Sequence, residues 1–270
     1  MRKICSSFLA TTIILASLGL LVALGSDLAA TPASFQAPAP LPSAREIIDK
    51  FVRAIGGRSA ILKHKSSYAK AHYEMPGQMS AEMEVFSAAP NKLLVKISIP
   101  GAGDIKTGFD GKVGWDLNPM AGASLHKGKR LEQTRRQADF YGDLHEEKNF
   151  QSIETVGLED FEGTKCYKLR LTTSSGDTYL EFFDAKSFLL VGRVGTAETG
   201  AGPAEVRSVV ADYKKFGDLL VPGKSTSKGV IAGQAFEEII TVTTIQYDSV
   251  DPAVFELPDQ IKELLGSQAP

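Results

Sequence analysis

Histidine and cysteine are the residue types in this chain that could hold a metal ion or carry out nucleophilic chemistry. The four histidines are His64, His72, His126 and His145. They lie far apart, and neither they nor the two cysteines form a His-x-x-x-His or Cys-x-x-Cys spacing. The sequence also has no Gly-x-Ser-x-Gly turn, no Walker loop and no glycine series of a dinucleotide-binding fold. We therefore expect no metal site, no cofactor and no enzymatic activity.

A cluster of basic residues is the second feature with chemical potential. Between residues 127 and 136 there are five cations and a single acid, Glu132. This segment, part of a helix predicted from Gly128 to Ala138, could contact anionic headgroups or the acidic surface of a protein partner. The alternative is a solvated helix face whose charge is neutralised by the acids that follow it. The five cations are Lys127, Lys129, Arg130, Arg135 and Arg136.

Apolar residues at helical spacing mark one strongly amphipathic helix between Pro42 and Gly57. Ser43 and Glu46 have the spacing of a capping box at its start, and Gly56 and Gly57 allow the positive φ that ends a helix. One face of this helix is apolar, so another part of the fold must cover it. We expect this face to line an apolar cavity, with ordinary core packing as the alternative. Its residues are Ile47, Ile48, Phe51 and Ile55.

Most of the remaining chain alternates with the period of two that is typical of β-strands. In residues 78–88 and 92–99, apolar side chains alternate with polar ones, so one face of the predicted sheet contacts solvent. A predicted hairpin with an Asp-Gly turn follows, and it carries the only tryptophan. Methionine suits an adaptable pocket because its side chain is flexible and polarisable. The sheet residues that we expect to line the cavity, again with core packing as the alternative, are Met79, Met83, Val95, Ile97 and Trp115.

The predicted strands indicate a single curved sheet. We expect about ten or eleven strands, nearly all joined by connections too short for parallel crossovers, so the sheet must be mainly antiparallel. Such a sheet would be about 50 Å wide if flat, whereas one helix covers about 10 Å. The sequence therefore predicts an α+β fold, mainly β, whose sheet curls into an open half-barrel covered by two or three helices. Apolar surface left uncovered would form a hollow for an apolar ligand.

The N-terminal residues predict export. Residues 1–25 have the pattern of a signal peptide, with an uncleaved inner-membrane anchor as the alternative. Residues 26–42 are a predicted Pro/Ala-rich tether, 43–258 one domain, and 259–270 a C-terminal helix or tail. Cys5 lies in the leader, so the mature chain keeps one cysteine, Cys166, which we predict to be buried and not disulfide-bonded. The net charge of −2 does not indicate nucleic-acid binding.

Four segments of the sequence resemble one family. They are residues 46–57 (EIIDKFVRAIGG), 109–115 (FDGKVGW), 162–169 (EGTKCYKL) and 251–258 (DPAVFELP). Their order after a leader and among strands resembles the bacterial outer-membrane lipoprotein-sorting proteins of the LolA/LolB-like superfamily, over almost the whole predicted domain. The resemblance implies a periplasmic protein with an open antiparallel half-barrel, helices as a lid over an apolar cavity, and binding of lipoprotein or lipid acyl chains without a cofactor.

Two functions follow as expectations. The first is a monomeric periplasmic carrier that holds acyl chains of a lipid or lipoprotein by burying their CH₂ groups, at about 0.8 kcal/mol each. The second is an envelope protein that binds a protein partner or the membrane surface through its basic segment, without lipid transport. A charged residue at Phe51 or Ile55 would abolish lipid uptake under the first hypothesis. Charge reversal in the basic segment would abolish partner capture under the second.

Overall fold

The computed structural model describes residues 40–144 and 149–267. The predicted leader, residues 1–25, lies outside the described residues, as do the tether up to residue 39 and the last three residues of the predicted tail. No helix in the described part of the chain is long and apolar enough to cross a membrane. The α-helices described are α1 (Ala44–Ala54), α2 (Arg58–Lys63), α3 (Gly128–Gln137) and α4 (Asp259–Ser267), and Gly142–Leu144 and Pro252–Phe255 form 3₁₀ turns.

Thirteen of the described strands form one antiparallel sheet, and two more form a separate hairpin, β12–β13. In chain order the strands are β1 (Ser66–Met75), β2 (Met79–Ala88), β3 (Lys92–Ile99), β4 (Gly103–Phe109), β5 (Gly114–Asn118), β6 (Gly122–Leu125), β7 (Ser152–Phe161), β8 (Thr164–Thr172), β9 (Thr178–Asp184), β10 (Leu190–Thr199), β11 (Gly202–Ala211), β12 (Lys214–Phe216), β13 (Leu219–Val221), β14 (Lys224–Ile231) and β15 (Gln234–Tyr247). Their order in the sheet is β6-β5-β4-β3-β2-β1-β15-β14-β11-β10-β9-β8-β7. The predicted antiparallel sheet is confirmed, but it has thirteen strands and not the expected ten or eleven; β6, with four residues, is too short to show clear alternation.

Helix α3 shows how strongly the sheet is curved. It contacts both β5 and β10, which lie eight strands apart in the sheet. In a flat sheet these strands would be about 38 Å apart, whereas a helix of this length is only about 15 Å long. The two halves of the sheet therefore face each other across a hollow. Because the edge strands β6 and β7 do not pair, the predicted open half-barrel is confirmed.

Helix α1 begins and ends as the sequence predicts. The Ser43 hydroxyl accepts a hydrogen bond from the Glu46 amide at 3.2 Å, although the Glu46 side chain pairs with Lys50 and does not complete the capping box. Gly56 and Gly57 have φ of +131° and +91°, values that only glycine adopts without strain. The chain therefore turns sharply out of α1 and into α2.

The apolar face of α1 forms the centre of the main hydrophobic core. All four residues predicted on this face are at most 5 % exposed. They pack with side chains of β8, β9 and β10, and the ring of Phe51 meets that of Phe183 edge-on, with centroids 5.3 Å apart. The buried sheet residues of this cluster are Leu169, Leu171, Phe183 and Leu190. Helix α1 thus covers one end of the concave face of the sheet.

A smaller cluster of aromatic side chains lies apart from this main core. It contains Cys166, which is fully buried and belongs to the same cluster as Phe161 and Phe182, as the sequence predicts. Burial raises the pKa of the Cys166 thiol to about 11. The thiol is therefore protonated and serves as a small apolar group.

The C-terminal segment packs against the first half of the sheet. The turn at Pro252–Phe255 contacts β3, and α4 contacts β6. The Lys92 ammonium lies over the Phe255 ring, 5.8 Å from its centroid, and Ile261 of α4 is fully buried. The segment that the sequence predicts as a helix or tail is therefore helical as far as Ser267.

His64 joins three elements at the end of α2. Its Nδ1 lies 2.8 Å from Asp248 Oδ2, just beyond β15, and its Nε2 lies 2.8 Å from Asp218 Oδ1, in the β12–β13 turn. The residue is 6 % exposed and stacks on Tyr247. Burial lowers the pKa of His64, but the two carboxylates outweigh burial and the pKa is raised above its ordinary value. Since both ring nitrogens donate only in the imidazolium, this contact stabilises the protonated form.

Candidate ligand-binding face

Cross-strand pairs identify the side chains that share the concave face with α1. Leu169, which packs in the α1 core, pairs with Glu181, and successive pairs lead through β10, β11 and β14 to Glu238 of β15. Two residues further along β15, Ile240 pairs with Tyr73 of β1. Because strand side chains alternate, every second residue of β1–β4 lies on this same face.

Apolar side chains occupy the concave face across β15, β1, β2, β3 and β4. Met83 pairs with Ala71 on one side and with Ile97 on the other, and Ile97 in turn pairs with Ile105. The side chains of Met83, Ile97 and Ile105 remain partly exposed, whereas Ala71 is buried. We call this surface the apolar patch. It consists of Met79, Met83, Val85, Leu93, Val95, Ile97, Ile105, Ile240 and Val242.

The structure separates the residues that the sequence predicts to line a cavity. The patch brings together Met79, Met83, Val95 and Ile97. The main core encloses Ile47, Ile48, Phe51 and Ile55 of α1. For these four residues the ordinary alternative, core packing, is therefore the observed one.

Trp115 lies on the opposite face of the sheet, so its grouping with the patch residues is wrong. Val95 pairs with Thr107, and Thr107 pairs with Asp116, which places Asp116 on the concave face and its neighbour Trp115 on the convex face. There Trp115 is buried against Gly108, where an added Cβ would lie 2.3 Å from the indole ring.

The turn between β3 and β4 is the physical reason for this difference. Ile99 pairs with Gly103, so only three residues form the turn. If residues 100–103 all belonged to the turn, as their composition suggests, the pairing would shift by one residue. Such a shift exchanges the two faces of a strand, and it would place Trp115 on the same side as Val95.

A row of polar side chains borders the apolar patch. The Tyr73 hydroxyl donates to Glu238 Oε2 at 3.4 Å, and the hydroxyls of Ser208 and Ser227 lie 3.0 Å apart. Burial raises the pKa of Glu238 against the opposing hydrogen bonds from Ser227 and Tyr73. The hydroxyl groups of this row are neutral and already have hydrogen-bond partners, which lowers the cost of covering them.

Beyond the polar row lies a cavity of about 420 Å³. Strands β9, β10 and β11 form its floor, where Tyr179, Glu181, Arg193 and Ser208 line it, and α3 contributes Arg136. This volume is within the range of small-molecule binding sites, and the lining combines charged, hydroxyl and apolar groups.

Glu181 and Arg193 form an ion pair on the cavity floor. Arg193 Nε donates to Glu181 Oε1 at 2.7 Å. Glu181 is 5 % exposed, whereas the Arg193 side chain is 51 % exposed, so the guanidinium is accessible from the cavity. Glu181, with a smaller contribution from Asp143, raises the pKa of Arg193 against the effect of burial, and the guanidinium stays charged.

Helix α3 turns three of the five predicted contact cations towards the domain. Lys129 Nζ lies 2.8 Å from an aspartate in the β8–β9 turn, Arg130 pairs with Asp116, and the Arg136 guanidinium lies 5.5 Å from the ring centroid of Tyr179. The other two cations, Lys127 and Arg135, are exposed. Most of the predicted cationic surface is therefore used for contacts within the domain.

Asp116 anchors α3 to the concave face of β5. Its Oδ1 accepts a hydrogen bond from Thr107 at 2.8 Å, and its Oδ2 contacts Arg130 and lies 3.1 Å from His126 Nε2. Burial raises the pKa of Asp116, but His126, Thr107 and Arg130 outweigh it, so that the pKa is lowered. The carboxylate stays charged, and its contacts hold α3 in place.

A second, shallower depression of about 410 Å³ lies at one end of β1–β3. There Ser80 Oγ is 3.0 Å from His72 Nε2, and His72 Nδ1 is 3.5 Å from Glu82 Oε1. The order resembles a nucleophile, a base and an orienting acid, but the second distance is too long for a hydrogen bond. His72 is 39 % exposed, and the group consists of cross-strand neighbours on the convex face. We interpret it as a solvated strand face.

Comparisons with known proteins identify the fold. No protein-family model matches the sequence, and a search of curated proteins found no match. Among solved structures, a LolA superfamily protein from Nitrosomonas europaea matches with a TM-score of 0.54 and 12 % identity, over 80 % of this chain and 99 % of that one. The chain has a LolA-like fold.

Two further structures share the LolA-like fold. One is a proposed outer membrane lipoprotein-sorting protein domain from Vibrio parahaemolyticus, with a TM-score of 0.52 and 12 % identity over 82 % of this chain and 97 % of that one. The other is a DUF1329 family protein from Desulfovibrio piger, with a TM-score of 0.53 and 12 % identity over 80 % of this chain and 98 % of that one. The resemblance found in four sequence segments is confirmed at the level of the fold. At such low identity a function must be argued from the concave face itself.

Proposed function

We propose that this protein binds acyl chains of a lipid or lipoprotein on the concave face of its LolA-like sheet and carries them as a monomer, without a cofactor. The apolar patch is the observation that carries the proposal, because its methionine, valine and isoleucine side chains remain partly exposed within the hollow. Single exposed apolar residues are common on protein surfaces, whereas a contiguous apolar set on a concave face is typical of a binding site.

The patch has suitable dimensions and chemistry for an acyl chain. Its five neighbouring strands extend over about 20 Å. Each CH₂ group buried on it contributes about 0.8 kcal/mol, so ten such groups provide about 8 kcal/mol before the cost of association is subtracted. The flexible side chains of Met79 and Met83 can adjust to chains of different shape.

The proposed place of action is the periplasm. Residues 1–25 have the pattern of a secretory signal, and one matched structure is a proposed outer membrane lipoprotein-sorting domain. Cleavage of this segment would release the domain, and retention would tether it to the inner membrane through residues 26–42.

Native mass spectrometry with lipid extraction tests the proposal. The protein is produced from its full-length sequence in a bacterial host and purified without detergent. We expect a stoichiometric co-purified lipid and uptake of a fluorescent fatty acid. A bare protein mass together with no fatty-acid uptake would contradict the proposal.

A matched pair of valine substitutions locates the binding surface. Val95→Asp introduces a charge into the apolar patch, whereas Val230→Asp introduces it at a strand position that is 51 % exposed on the convex face. We expect Val95→Asp to lose bound lipid and Val230→Asp to retain it. Circular dichroism confirms that both variants are folded. Equal lipid content in two folded variants would exclude the patch as the binding surface.

A further inference from the structure

The cavity of about 420 Å³ receives guanidinium groups from two sides. On its floor, Arg193 uses Nε for Glu181, and its two terminal nitrogens form no hydrogen bond to a described residue. On the opposite side, α3 places the Arg136 guanidinium over the ring of Tyr179, where the contact between cation and ring holds it. Two rigid, forked donors therefore line one cavity from different elements.

The carboxylates that line the same cavity already take part in interactions within the protein. Glu181 accepts from Arg193. Asp139 accepts from Asn149 Nδ2 at 2.6 Å and from the Tyr141 amide at 3.2 Å. Asp143 is exposed and lies close enough to Arg193 to raise its pKa. The described lining contains three carboxylates and two guanidinium groups, so their formal charges differ by one unit. Selectivity here would therefore depend on directed hydrogen bonds and not on a net positive field.

The cavity is close to the apolar patch. Ser208 of β11 lines the cavity, and only β14 separates β11 from β15, where the patch begins. Two strand spacings amount to about 10 Å. A molecule with its polar end in the cavity therefore reaches the patch with an acyl chain of ordinary length.

We propose that this cavity binds the oxyanion headgroup of an amphiphile, a phosphate or a carboxylate, while the acyl chain lies on the apolar patch. Arginine forks match the geometry of both oxyanions and bind them through paired hydrogen bonds. This inference rests on the proposed function and adds to it the class of lipid that the protein selects.

Neighbouring arginines of α3 provide a matched test. Arg136→Gln removes a guanidinium from the cavity, and Arg135→Gln removes the same charge from an exposed position one residue away. Arg193 is not substituted alone, because that would break the ion pair of the buried Glu181. The double variant Glu181→Gln with Arg193→Gln removes the floor guanidinium and keeps an amide pair in its place.

The probes are decyl phosphate, decan-1-ol and inorganic phosphate, titrated calorimetrically into the delipidated protein expressed from its full-length sequence. We expect decyl phosphate to bind about 10- to 100-fold more tightly than decan-1-ol, which is the range for hydrogen bonds to a charged group. Arg136→Gln and the double variant should each reduce this preference by about tenfold, and Arg135→Gln should leave it unchanged.

Each contrary outcome has a distinct meaning. Equal binding of decyl phosphate and decan-1-ol, with no effect of Arg136→Gln, would overturn the headgroup site and leave the acyl-chain carrier intact. Failure of both amphiphiles to bind would overturn the carrier and the headgroup site together. Binding of inorganic phosphate that depends on Arg136, without binding of either amphiphile, would replace the headgroup site by a site for free phosphate.

Discussion

Replacing Phe51 by alanine distinguishes a core helix from a helix that lines a ligand cavity. Phe51 is 3 % exposed, and its ring meets Phe183 with centroids 5.3 Å apart. Truncation of a buried phenylalanine to alanine costs about 3–5 kcal/mol, because it removes apolar contacts and leaves a cavity. In a domain of this size, each kcal/mol lowers the midpoint of thermal unfolding by about 2–4 °C, so we expect Phe51→Ala to lower it by about 6–20 °C.

The matched substitution on the concave sheet is Met83→Ala. Met83 is partly exposed in the apolar patch, so its truncation should cost about 1 kcal/mol or less. The same truncation removes surface that an acyl chain would cover. If about 1 kcal/mol of this contact is lost, fatty-acid binding weakens about fivefold.

Both substitutions are measured by thermal unfolding followed by circular dichroism and by titration with a fluorescent fatty acid at a temperature where each variant is folded. Phe51→Ala should change mainly the unfolding midpoint, and Met83→Ala mainly the affinity. A Phe51→Ala variant that kept its wild-type midpoint and lost fatty-acid binding would show that α1 lines the ligand cavity. A Met83→Ala variant with a large loss of stability and unchanged affinity would refute the assignment of the patch.

Three further predictions concern the residues that hold the sheet and helices together. Folding raises the pKa of His64 despite burial, so the folded state binds the proton more tightly than the unfolded state. The resulting stabilisation is complete below about pH 6.5 and is lost as the pH rises through the raised pKa. The free energy of unfolding, measured with urea, should therefore decline over this range in the wild type and not in His64→Gln. Asp116→Asn leaves Arg130 partly buried without its carboxylate, and we expect a loss of about 3 kcal/mol in the same assay. Gly108→Ala places a Cβ 2.3 Å from the Trp115 ring, and the overpacking should cost about 1–3 kcal/mol, seen as a lower unfolding midpoint.

Controls within the same elements separate these effects from general damage. Lys129→Gln breaks an exposed ion pair of α3 and should leave the stability unchanged, in contrast to Asp116→Asn. Gly157→Ala adds a Cβ to a strand where no atom lies within 4 Å, and it should be neutral. Equal losses in Asp116→Asn and Lys129→Gln, or in the two glycine variants, would contradict the assigned contacts. Parallel pH profiles of wild type and His64→Gln would show that His64 is not the titrating group.

The sequence predicts single elements better than the pairing between them. Alternation within one strand is a local property, and it correctly groups Met79 with Met83 and Val95 with Ile97. Which face of one strand continues into the next depends on the length of the turn between them. The turn between β3 and β4 is one residue shorter than its composition suggests, and for that reason the faces of Trp115 and Val95 differ.

The cavity could not be predicted for a related reason. Its floor residues Glu181 and Arg193 come from different strands, and only the bulged register of β9 and β10 brings them together. One signal was present in the sequence. Tyr179, Glu181 and Phe183 alternate on one face of β9, and a carboxylate between two aromatic residues needs a partner if that face is buried. The identity of the partner is a tertiary property that spacing alone does not contain.

Strand β15 is the last of the described strands in chain order, and it lies in the middle of the sheet between β1 and β14. Each half of the sheet pairs strands that are close in the chain, but the two halves are joined only by the β1–β15 ladder, in which residues 67–74 pair with residues 239–247. Before residues 234–247 have been synthesised, the two half-sheets therefore have no strand that pairs with both of them. Contacts between such distant residues form slowly. The continuous concave face that carries the apolar patch therefore forms only after residues 234–247 have paired with both β14 and β1.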